Sequence, residues 1–484
     1  MPVSRGTRAA VALGCLAIAC TAQTTLEYRS PYCGPGGGST PWACGAWPAS
    51  KPPKLGRPGT LTADPDTGNR VLRVTGPGSF GEDPLTAFKV LDAGWRRAWN
   101  ADSTRLLVIP WSAHSTRKSA YWLGFDPSRM ALTKERGSLP ADMSGAEWDP
   151  LDPDLIVSLY RDVAVSYNVR TNKIIKIFDP ATTGWRAQPW SSSWSANRVC
   201  IADGPQDKGY RIACAQRESG KTFLIDLREQ TINGKPFAVS FRGQSVSLPR
   251  AVGIHSIMLA PDAKWLAIDT HANVLCGVPD LPAYSSTELL LNLETNTGYE
   301  WNISCGLTHW AYGRDGMMMQ STTPKWNSAG NHGPCNSDSR GIARRASGPD
   351  IDSSFTITGP CSFFEPATWA VSVHISWTNN RGGAYANQYP VLLATTGPAG
   401  NGFLANEIAA METSAPPYRG RLWRFAQTWN LPTRSQCVFL EYSSPSISPD
   451  GRWAVFPSDW QGQTGDDGIC TDGSRTDVFI FELR

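Results

Sequence analysis

Residues 444–462, SPSISPDGRWAVFPSDWQG, spell out a tight turn between two apolar runs. In the turn Ser448-Pro449-Asp450-Gly451, Pro presets φ, Asp bonds its own backbone and Gly accepts a positive φ. The pattern predicts two antiparallel strands, with SPSI as the incoming strand and RWAVFPS as the strand that follows the turn.

The same order of incoming strand, polar turn and apolar strand recurs along the chain, giving seven repeats numbered here 1 to 7. Successive repeats are 46 to 70 residues apart, which is the length of a four-stranded propeller blade with loops of varying size. The turn positions are Trp99, Trp148, Trp194, Leu259, Tyr312, Trp377 and Ile447. The sequence therefore predicts an all-β, seven-bladed β-propeller, with two packed sandwiches as the competing architecture.

The last repeat lacks its final strand. The chain ends after DVFIFELR, whereas DPDTGNRVLRVTG at residues 64–76 reads as an orphan fourth strand preceded by its turn. We expect this N-terminal strand to complete the last blade and close the ring. The expected organisation is an export signal at residues 1–22, an irregular Gly-, Pro- and Cys-rich arm pinned by a disulfide at 23–60, and the propeller at 61–484.

The N-terminus combines Arg5 and Arg8 with a short apolar run of small residues. This combination is typical of an export signal and is too short to span a bilayer. We therefore expect a secreted, periplasmic or extracellular protein without a transmembrane segment. The stretch AIAC ending at Cys20 leaves two alternatives open, a lipoprotein anchored through that Cys and ordinary cleavage after Ala19 or Ala22.

The charge balance argues against nucleic acid as a partner. The first 22 residues hold two of the 45 Lys and Arg residues and none of the 42 Asp and Glu residues, so the remainder carries a net charge near +1. Nucleic-acid binding calls for a basic stripe that compensates many phosphates. The expected partner is instead an acidic carbohydrate or another small polar ligand, bound by a monomer.

Cysteine usage fits an exported protein. Ten of the 12 Cys lie beyond residue 22, and an even number in an exported chain predicts disulfides. The sequence does not determine their connectivity. Pairing between sequence neighbours would give Cys33–Cys44, Cys200–Cys214, Cys276–Cys305, Cys335–Cys361 and Cys437–Cys470.

Three of the six His, namely His255, His309 and His374, lie three or four residues before the turn positions of repeats 4, 5 and 6. They fall on the incoming strand, which in a propeller is innermost and lines the channel. Neutral imidazole is the commonest transition-metal ligand. The pattern therefore predicts a divalent metal, manganese first, with zinc, iron or calcium as alternatives. The other interpretation is three ordinary buried His, and the offset of His255 requires a bulge or a shifted turn.

Further candidates surround this trio. Residues 321–348 form a long segment of repeat 5, and loops of such length are uncommon unless they carry a function or lack a fixed structure. Arginine matches a carboxylate in bidentate fashion, and Trp faces stack on sugar rings. A solvated, disulfide-tied loop is the alternative. The candidate catalytic residues are His271, His332 and Arg340, and the candidate substrate-binding residues are Trp326, Arg344, Arg345 and Trp377.

The stretch at residues 444–462, followed by RTDVFIFELR, resembles the closing blade of secreted bacterial propellers with Tol-system-like repeats. Within that group it is similar to the oligogalacturonate lyases, seven-bladed enzymes that cleave pectic uronides by β-elimination. The resemblance implies a divalent metal, typically manganese, held by His and Gln side chains, and a basic residue that takes the C5 proton. Tyr442 and Ser444 stand where the lyases carry a His before the last turn.

The leading functional hypothesis is an exported propeller that binds an acidic polysaccharide or oligosaccharide at a His-lined channel mouth. In its catalytic version, the protein would cleave this ligand by metal-assisted β-elimination. The alternative is a non-catalytic binding or scaffold propeller at the cell surface. A hydrolytic role ranks third because the chain has no Gly-x-Ser-x-Gly nucleophile signature.

Overall fold

The computed structural model describes residues 28–29, 32–33, 50–91, 94–111, 119–185, 189–205, 208–241, 244–248, 253–271, 286–301, 310–313, 318–322, 341–345, 356–357, 372–380, 386, 388–396, 406–413, 421–430, 444–466 and 475–484. These residues form strands, turns and two short 3-10 turns, and none of them belongs to an α-helix. Within these ranges, no helix has the length and hydropathy that a membrane crossing requires. The described part of the chain is therefore all-β.

The first three strands of the chain belong to the last two sheets. They are β1 (Tyr32–Cys33), β2 (Leu61–Ala63) and β3 (Arg70–Arg73), followed by a 3-10 turn at Ser79–Gly81.

Sheets 1 to 3 are built from consecutive strands in chain order. Sheet 1 contains β4 (Phe88–Lys89), β5 (Arg105–Pro110), β6 (Tyr121–Asp126) and β7 (Ala131–Ser138). Sheet 2 contains β8 (Met143–Trp148), β9 (Leu155–Tyr160), β10 (Val163–Asn168) and β11 (Lys173–Phe178), and a 3-10 turn at Pro180–Thr183 follows it. Sheet 3 contains β12 (Pro189–Trp194), β13 (Arg198–Asp203), β14 (Arg211–Gln216), β15 (Thr222–Asp226), β16 (Thr231–Ile232) and β17 (Lys235–Pro236).

Sheets 4 and 5 follow the same plan, except that an extra hairpin joins sheet 4. This hairpin, β18 (Ala238–Phe241) and β19 (Gln244–Val246), pairs with the outer strand β23 of that sheet. The other strands of sheet 4 are β20 (Gly253–Leu259), β21 (Trp265–His271), β22 (Ser286–Asn292) and β23 (Thr297–Trp301). Sheet 5 contains β24 (Trp310–Tyr312), β25 (Met318–Thr322), β26 (Gly341–Arg345) and β27 (Thr356–Ile357).

Sheets 6 and 7 each recruit strands from the N-terminal part of the chain. Sheet 6 contains β28 (Ser372–Ser376), β29 (Val391–Thr396), β30 (Glu407–Met411), β31 (Leu422–Gln427) and, at its outer edge, β1. Sheet 7 contains β32 (Ser446–Ile447), β33 (Trp453–Ser458) and β34 (Asp477–Glu482), with β3 and then β2 beyond β34. The described strands thus form one sheet for each sequence repeat.

The tight turn of repeat 7 has the geometry that its residues predict. Gly451 N–H donates to Ser448 O at 2.8 Å, and Gly451 has φ of 73°. Ser448 N–H donates to Trp453 O at 2.8 Å, which continues the ladder of β32 and β33. The sequence therefore located both the turn and the antiparallel pair around it.

The N-terminal strand β3 pairs antiparallel with the C-terminal strand β34, with Leu72 opposite Ile480. This is the arrangement expected from the orphan strand at residues 64–76. The Arg70 guanidinium donates to both carboxylate oxygens of Glu482, each at 2.7 Å. Deeper in the pair, the buried Asp477 carboxylate accepts hydrogen bonds from Arg73 and from Arg475.

Large aromatic side chains at the repeated turn positions fill the space between neighbouring sheets. Trp99 of sheet 1 packs edge-on against Phe125, with ring centroids 5.4 Å apart, and Phe125 contacts Trp453 of sheet 7 at 5.1 Å. Trp148 of sheet 2 belongs to the same buried cluster. Burial of such large apolar surfaces is the main driving force that holds adjacent sheets together.

The described residues of the arm at 23–60 include a strand that the sequence did not predict. We expected no regular structure there, but β1 adds a fifth strand to sheet 6 because the outer edge of β31 offers unpaired backbone groups. Tyr28 packs edge-on against Trp423 and Phe425, and its hydroxyl donates to Gly451 O at 3.0 Å. Tyr28 and β1 therefore dock on sheets 6 and 7.

One of the five disulfides proposed from sequence neighbours is confirmed. Cys200 on β13 and Cys214 on β14 lie directly opposite each other and are bonded. Each of the other four proposed pairs includes a Cys outside the described residues, so those pairs stay predictions. Among them is Cys33–Cys44, the disulfide expected to pin the arm.

Asp477→Asn tests the contribution of the β3–β34 pair to stability. The substitution leaves Arg73 and Arg475 buried beside a neutral group, and breaking a buried ion pair in this way costs about 3–5 kcal/mol. We expect a correspondingly lower free energy of unfolding in urea. The control, Arg161→Gln, removes an exposed ion pair with Asp142 and should leave the unfolding curve unchanged. Equal stability of Asp477→Asn and wild type would contradict the proposed role.

Candidate functional site

The innermost segments of all seven sheets border one cavity of about 340 Å³. Each sequence repeat contributes to its wall at or near its turn position. The residues, in order of the repeats, include Trp99, Asp149, Trp194, Leu259, Tyr312, Trp377 and Pro449. The seven incoming segments therefore face a common central space, which we call the channel.

The cavity lies at the end of the channel where the incoming strands finish, and its charged side chains are already paired. Arg97 donates to the backbone oxygens of Trp148 and Trp194, each at 2.9 Å, and forms an ion pair with Glu147 at 2.9 Å. Asp149 is paired with Arg217 at 2.5 Å. Because these groups bind one another, this end of the channel joins sheets 1 to 3 and offers a mainly apolar surface that includes several aromatic side chains.

Repeat 1 enters the channel by an excursion that the sequence did not predict. The chain leaves sheet 1 after Lys89 and pairs with it again at Trp99, which bridges to Leu106. In between, Trp95 packs against the buried cluster of sheets 4 and 5 that includes Met258 and Tyr312. The excursion therefore crosses the channel.

Gly94 permits this crossing. A Cβ at that position would lie 2.2 Å from the backbone oxygen of Ile375 in sheet 6 and 3.0 Å from that of Pro445 before sheet 7. Only a residue without a side chain fits so close to a neighbouring backbone.

Three innermost strands carry β-bulges near their starts. The register shifts between Ser144 and Glu147 in β8 and between Ile254 and Ser256 in β20. In β12 the shift lies between Pro189 and Ser191. Bulges redirect side chains and are common beside active sites. This end of the channel, where the incoming strands begin, is therefore the candidate functional site.

His255 occupies the bulge of β20. The sequence register required a bulge or a shifted turn if His255 was to match the other two His, and the structure has the bulge at that residue. The His255 side chain is partly buried. It precedes the cavity-lining Met258 by three residues, which along a strand is about 10 Å.

His374 lies on β28, again three residues before a cavity-lining residue, Trp377. Its side chain is 8% exposed, and its Nδ1 lies 3.2 Å from Oγ of Ser444. A hydrogen bond at one ring nitrogen fixes the tautomer and the orientation of an imidazole. Ser444, which precedes β32, thus contacts the His of the neighbouring repeat and can orient its ring.

The predicted three-His metal site is only partly within the described structure, because His309 lies outside it. In the described ranges, no three His, Cys, Asp or Glu side chains converge in a way that could hold a metal ion. His255 and His374 are suitable donors by chemistry, but two imidazoles are only part of a metal's ligand set. The metal site therefore stays a prediction.

The other predicted residues are distributed as follows. His271 is the last residue of β21, and its backbone lies opposite Gly253, at the same end of sheet 4 as His255. Arg344 and Arg345 belong to β26, so the prediction of a continuous loop at 321–348 is wrong at both ends, where backbone pairing forms β25 and β26. Trp326, His332 and Arg340 lie outside the described residues.

Trp377 is a wall residue of the cavity and has little exposed surface. Its indole is 2% exposed, and Nε1 donates to Tyr389 O at 2.8 Å. The predicted stacking of Trp377 on a sugar ring is therefore restricted to the face that borders the cavity.

Three residues that the sequence did not single out, Arg96, Gly145 and Ser192, pack closely together between repeats 1, 2 and 3. Gly145, in the bulge of β8, has φ of 60°. A Cβ there would lie 3.3 Å from Oγ of Ser192 and 3.4 Å from Nη1 of Arg96. The sequence feature that could have drawn attention to Arg96 is the consecutive pair Arg96-Arg97 before Trp99. Of this pair, Arg97 lines the cavity and Arg96 does not.

The chain resembles several solved propeller structures. An oligogalacturonate lyase from Vibrio parahaemolyticus superposes with a TM-score of 0.50 at 11% identity, covering 90% of this chain and 99% of that chain. An oligogalacturonate lyase in complex with manganese gives 0.49 at 11% identity, covering 90% and 98%. TolB from Acinetobacter baumannii gives 0.33 at 13% identity, covering 75% and 76%.

The likeness to the Vibrio parahaemolyticus lyase confirms the distant resemblance expected from the sequence and supports a β-propeller fold. No protein-family model and no curated protein matches the chain. At 11% identity, the likeness concerns the fold alone.

Ser444→Ala tests whether Ser444 orients His374. Loss of the hydroxyl removes the partner of Nδ1, so we expect a changed tautomer ratio of His374 in ring 15N NMR spectra and a stability loss of about 0.5–1.5 kcal/mol. The His255 ring signals should not change. Ser219→Ala, an exposed substitution elsewhere, is the control. An unchanged His374 tautomer in Ser444→Ala would show that this contact does not orient the ring.

Proposed function

We propose that the protein is an exported, seven-bladed β-propeller that binds an acidic oligosaccharide or polysaccharide at the bulged end of its channel. The observation that carries this proposal is the bulge at His255, which redirects an imidazole on an innermost strand at the same end as His374. The seven sheets would be the blades, and β3 would close the ring by pairing with β34. The cavity bordered by all seven repeats supports this ring.

The proposed organisation keeps residues 1–22 as an export signal, 23–60 as the arm and 61–484 as the propeller. Export rests on Arg5, Arg8 and the short apolar run that follows them. The protein would act outside the cytoplasm as a monomer, either free or anchored through Cys20.

A divalent metal would be held by His255, His309 and His374, with manganese as the first candidate and zinc or calcium as alternatives. His255 and His374 fit this role because both lie on innermost strands at the same end of the channel. A bound metal would neutralise a uronate carboxylate. Ser444 would keep the His374 ring in one orientation, and Arg344 and Arg345 would bind further carboxylates, with Trp326 and Trp377 beside the sugar rings.

Cleavage by β-elimination is the second candidate function. It needs a base for the C5 proton, and His271, His332 and Arg340 are the candidates. The observation in favour is that His271 ends β21 opposite Gly253, beside the bulge that carries His255. The fold shared with an oligogalacturonate lyase agrees with this chemistry.

The contact between Ser444 and His374 favours the alternative, a binding propeller without catalysis, because a hydroxyl replaces one His of the lyase pattern.

Calorimetric titration with trigalacturonate tests the proposed function. We expect wild type to bind the ligand and to contain a divalent metal by elemental analysis. His255→Ala and His374→Ala should each reduce the affinity by about tenfold or more, since a lost metal ligand weakens a site strongly. His114→Ala, which changes a His outside the repeat positions, should bind like wild type. Unchanged affinity and metal content in both site variants would contradict the proposal.

The ultraviolet absorbance of an unsaturated uronide product separates the two functions. Product formation by wild type that is lost in His271→Ala would support β-elimination. Binding without product would support the non-catalytic propeller.

A further inference from the structure

We propose that the cavity at the end of the channel where the incoming strands finish is a separate binding site for an uncharged aromatic compound of one or two rings. This site is independent of the proposed function, because it lies at the end of the channel away from His255 and His374. The cavity has a volume of about 340 Å³ and is bordered by residues of all seven repeats. Its floor, its wall and its mouth favour the same kind of ligand.

The crossing segment of repeat 1 forms the floor of the cavity. Gly94 lies against backbone oxygens of sheet 6 and of the segment that enters sheet 7. Trp95 packs against the buried cluster of sheets 4 and 5, and Arg97 donates to backbone oxygens of sheets 2 and 3. This short segment thus reaches the six neighbouring sheets and spans the channel. The cavity is therefore a pocket that is closed at its inner end.

The crossing segment also separates the cavity from the proposed metal site. Gly94 of that segment lies against the backbone oxygen of Ile375. In the chain, Ile375 follows His374 and precedes Trp377. Trp377 borders the cavity, whereas His374 does not. A small ligand in the cavity therefore leaves the His side of the crossing unoccupied.

The wall of the cavity is rich in aromatic side chains. The residues that supply them are Trp95, Trp99, Trp194, Tyr312 and Trp377. Trp95 is only partly buried and offers ring surface at the floor, whereas the other four are buried behind the wall. Aromatic rings attract one another in offset-stacked and edge-on arrangements. A flat aromatic ligand therefore matches this wall.

The charged groups at the cavity are compensated inside the protein. In the described part of the chain, these groups are the side chains of Arg97, Glu147 and Asp149. Arg97 pairs with Glu147 at 2.9 Å, and Asp149 pairs with Arg217 at 2.5 Å. A charged ligand would lose its hydration in the cavity without gaining an unpaired opposite charge. An uncharged ligand avoids this cost.

Hydroxyl groups of the wall are also engaged in internal hydrogen bonds. Oγ of Ser193 accepts from the backbone N–H of Leu259 at 2.8 Å, and Oγ1 of Thr378 donates to the backbone oxygen of Ile447. A bound sugar needs partners for several hydroxyls, and each buried hydroxyl without a partner costs free energy. The cavity therefore suits an aromatic compound better than a neutral sugar.

The mouth of the cavity is open to solvent and apolar. Leu151 is 69% exposed, and Pro150, Pro261 and Pro449 are partly exposed beside it. An apolar cavity of about 150 Å³ takes up a molecule of benzene. A volume of about 340 Å³ therefore has room for one or two rings.

Equilibrium dialysis of the full mature protein with 2-naphthol, which is uncharged at neutral pH, tests this site. The charged analogues 2-naphthoate and 2-naphthylmethylamine have the same rings, and galactose is the neutral sugar. Ala101→Leu and Ala196→Leu each add side-chain volume at a partly buried position of the cavity wall. Ala131→Leu makes the same change at a partly buried position outside the cavity and is the matched control. Melting curves show whether each variant is folded.

We expect one molecule of 2-naphthol to bind to each wild-type protein. Both charged analogues should bind at least about tenfold more weakly, because their charges would be desolvated without a partner. Ala101→Leu and Ala196→Leu should each weaken 2-naphthol binding at least about tenfold, since the added carbons occupy the space of the ligand. Ala131→Leu should bind like wild type. Saturating trigalacturonate should leave the affinity for 2-naphthol unchanged, because the crossing segment separates the two sites.

Three outcomes would overturn the aromatic site. One is the absence of saturable 2-naphthol binding by wild type, or equal affinity in wild type and both wall variants. The second is displacement of 2-naphthol by galactose, which would assign the cavity to sugars. The third, measured by sedimentation velocity, is a dimer that dissociates when 2-naphthol is added, which would show that the mouth around Leu151 docks on a second copy of the chain.

Discussion

The rest of the structure depends on the pairing of β3 with β34. The N-terminal strand β3 lies beside β34, and the buried contacts of Asp477 with Arg73 and Arg475 hold that pair together. Without β3, β34 would expose a strand edge, and sheet 7 would lose its link to the N-terminal part of the chain. The channel depends on this pairing because it needs all seven incoming segments around one space.

The sequence was most informative where a local rule acts. Turn chemistry predicted the turn at Ser448–Gly451, and the repetition of apolar positions predicted the buried Trp residues. The count of strands in each repeat predicted the orphan N-terminal strand. The offset of His255 required a bulge or a shifted turn, and the structure contains a bulge at that residue. In each case the deciding residues lie next to one another in the chain or recur at a regular distance.

The sequence was least informative where distant segments meet. The excursion of Trp95 across the channel depends on the space that Gly94 leaves beside Ile375, some 280 residues later. Pairing of β1 with β31 requires a free strand edge, which a Gly- and Pro-rich sequence does not reveal. The close packing of Arg96, Gly145 and Ser192 likewise joins three repeats, and no spacing rule connects Arg96 with Ser192. These features come from tertiary packing, which overrides local propensity.

At the cavity end of the channel, charged groups such as Arg97 and Glu147 bind one another and join the sheets. The bulge at His255 and the contact between His374 and Ser444 lie on the incoming segments before that cavity. The most direct measurement is a crystal structure with digalacturonate and manganese. We predict a sugar carboxylate and anomalous scattering from the metal beside His255 and His374, whereas a ligand seated only in the cavity bordered by Trp377, with no metal beside these His, would contradict the proposed function.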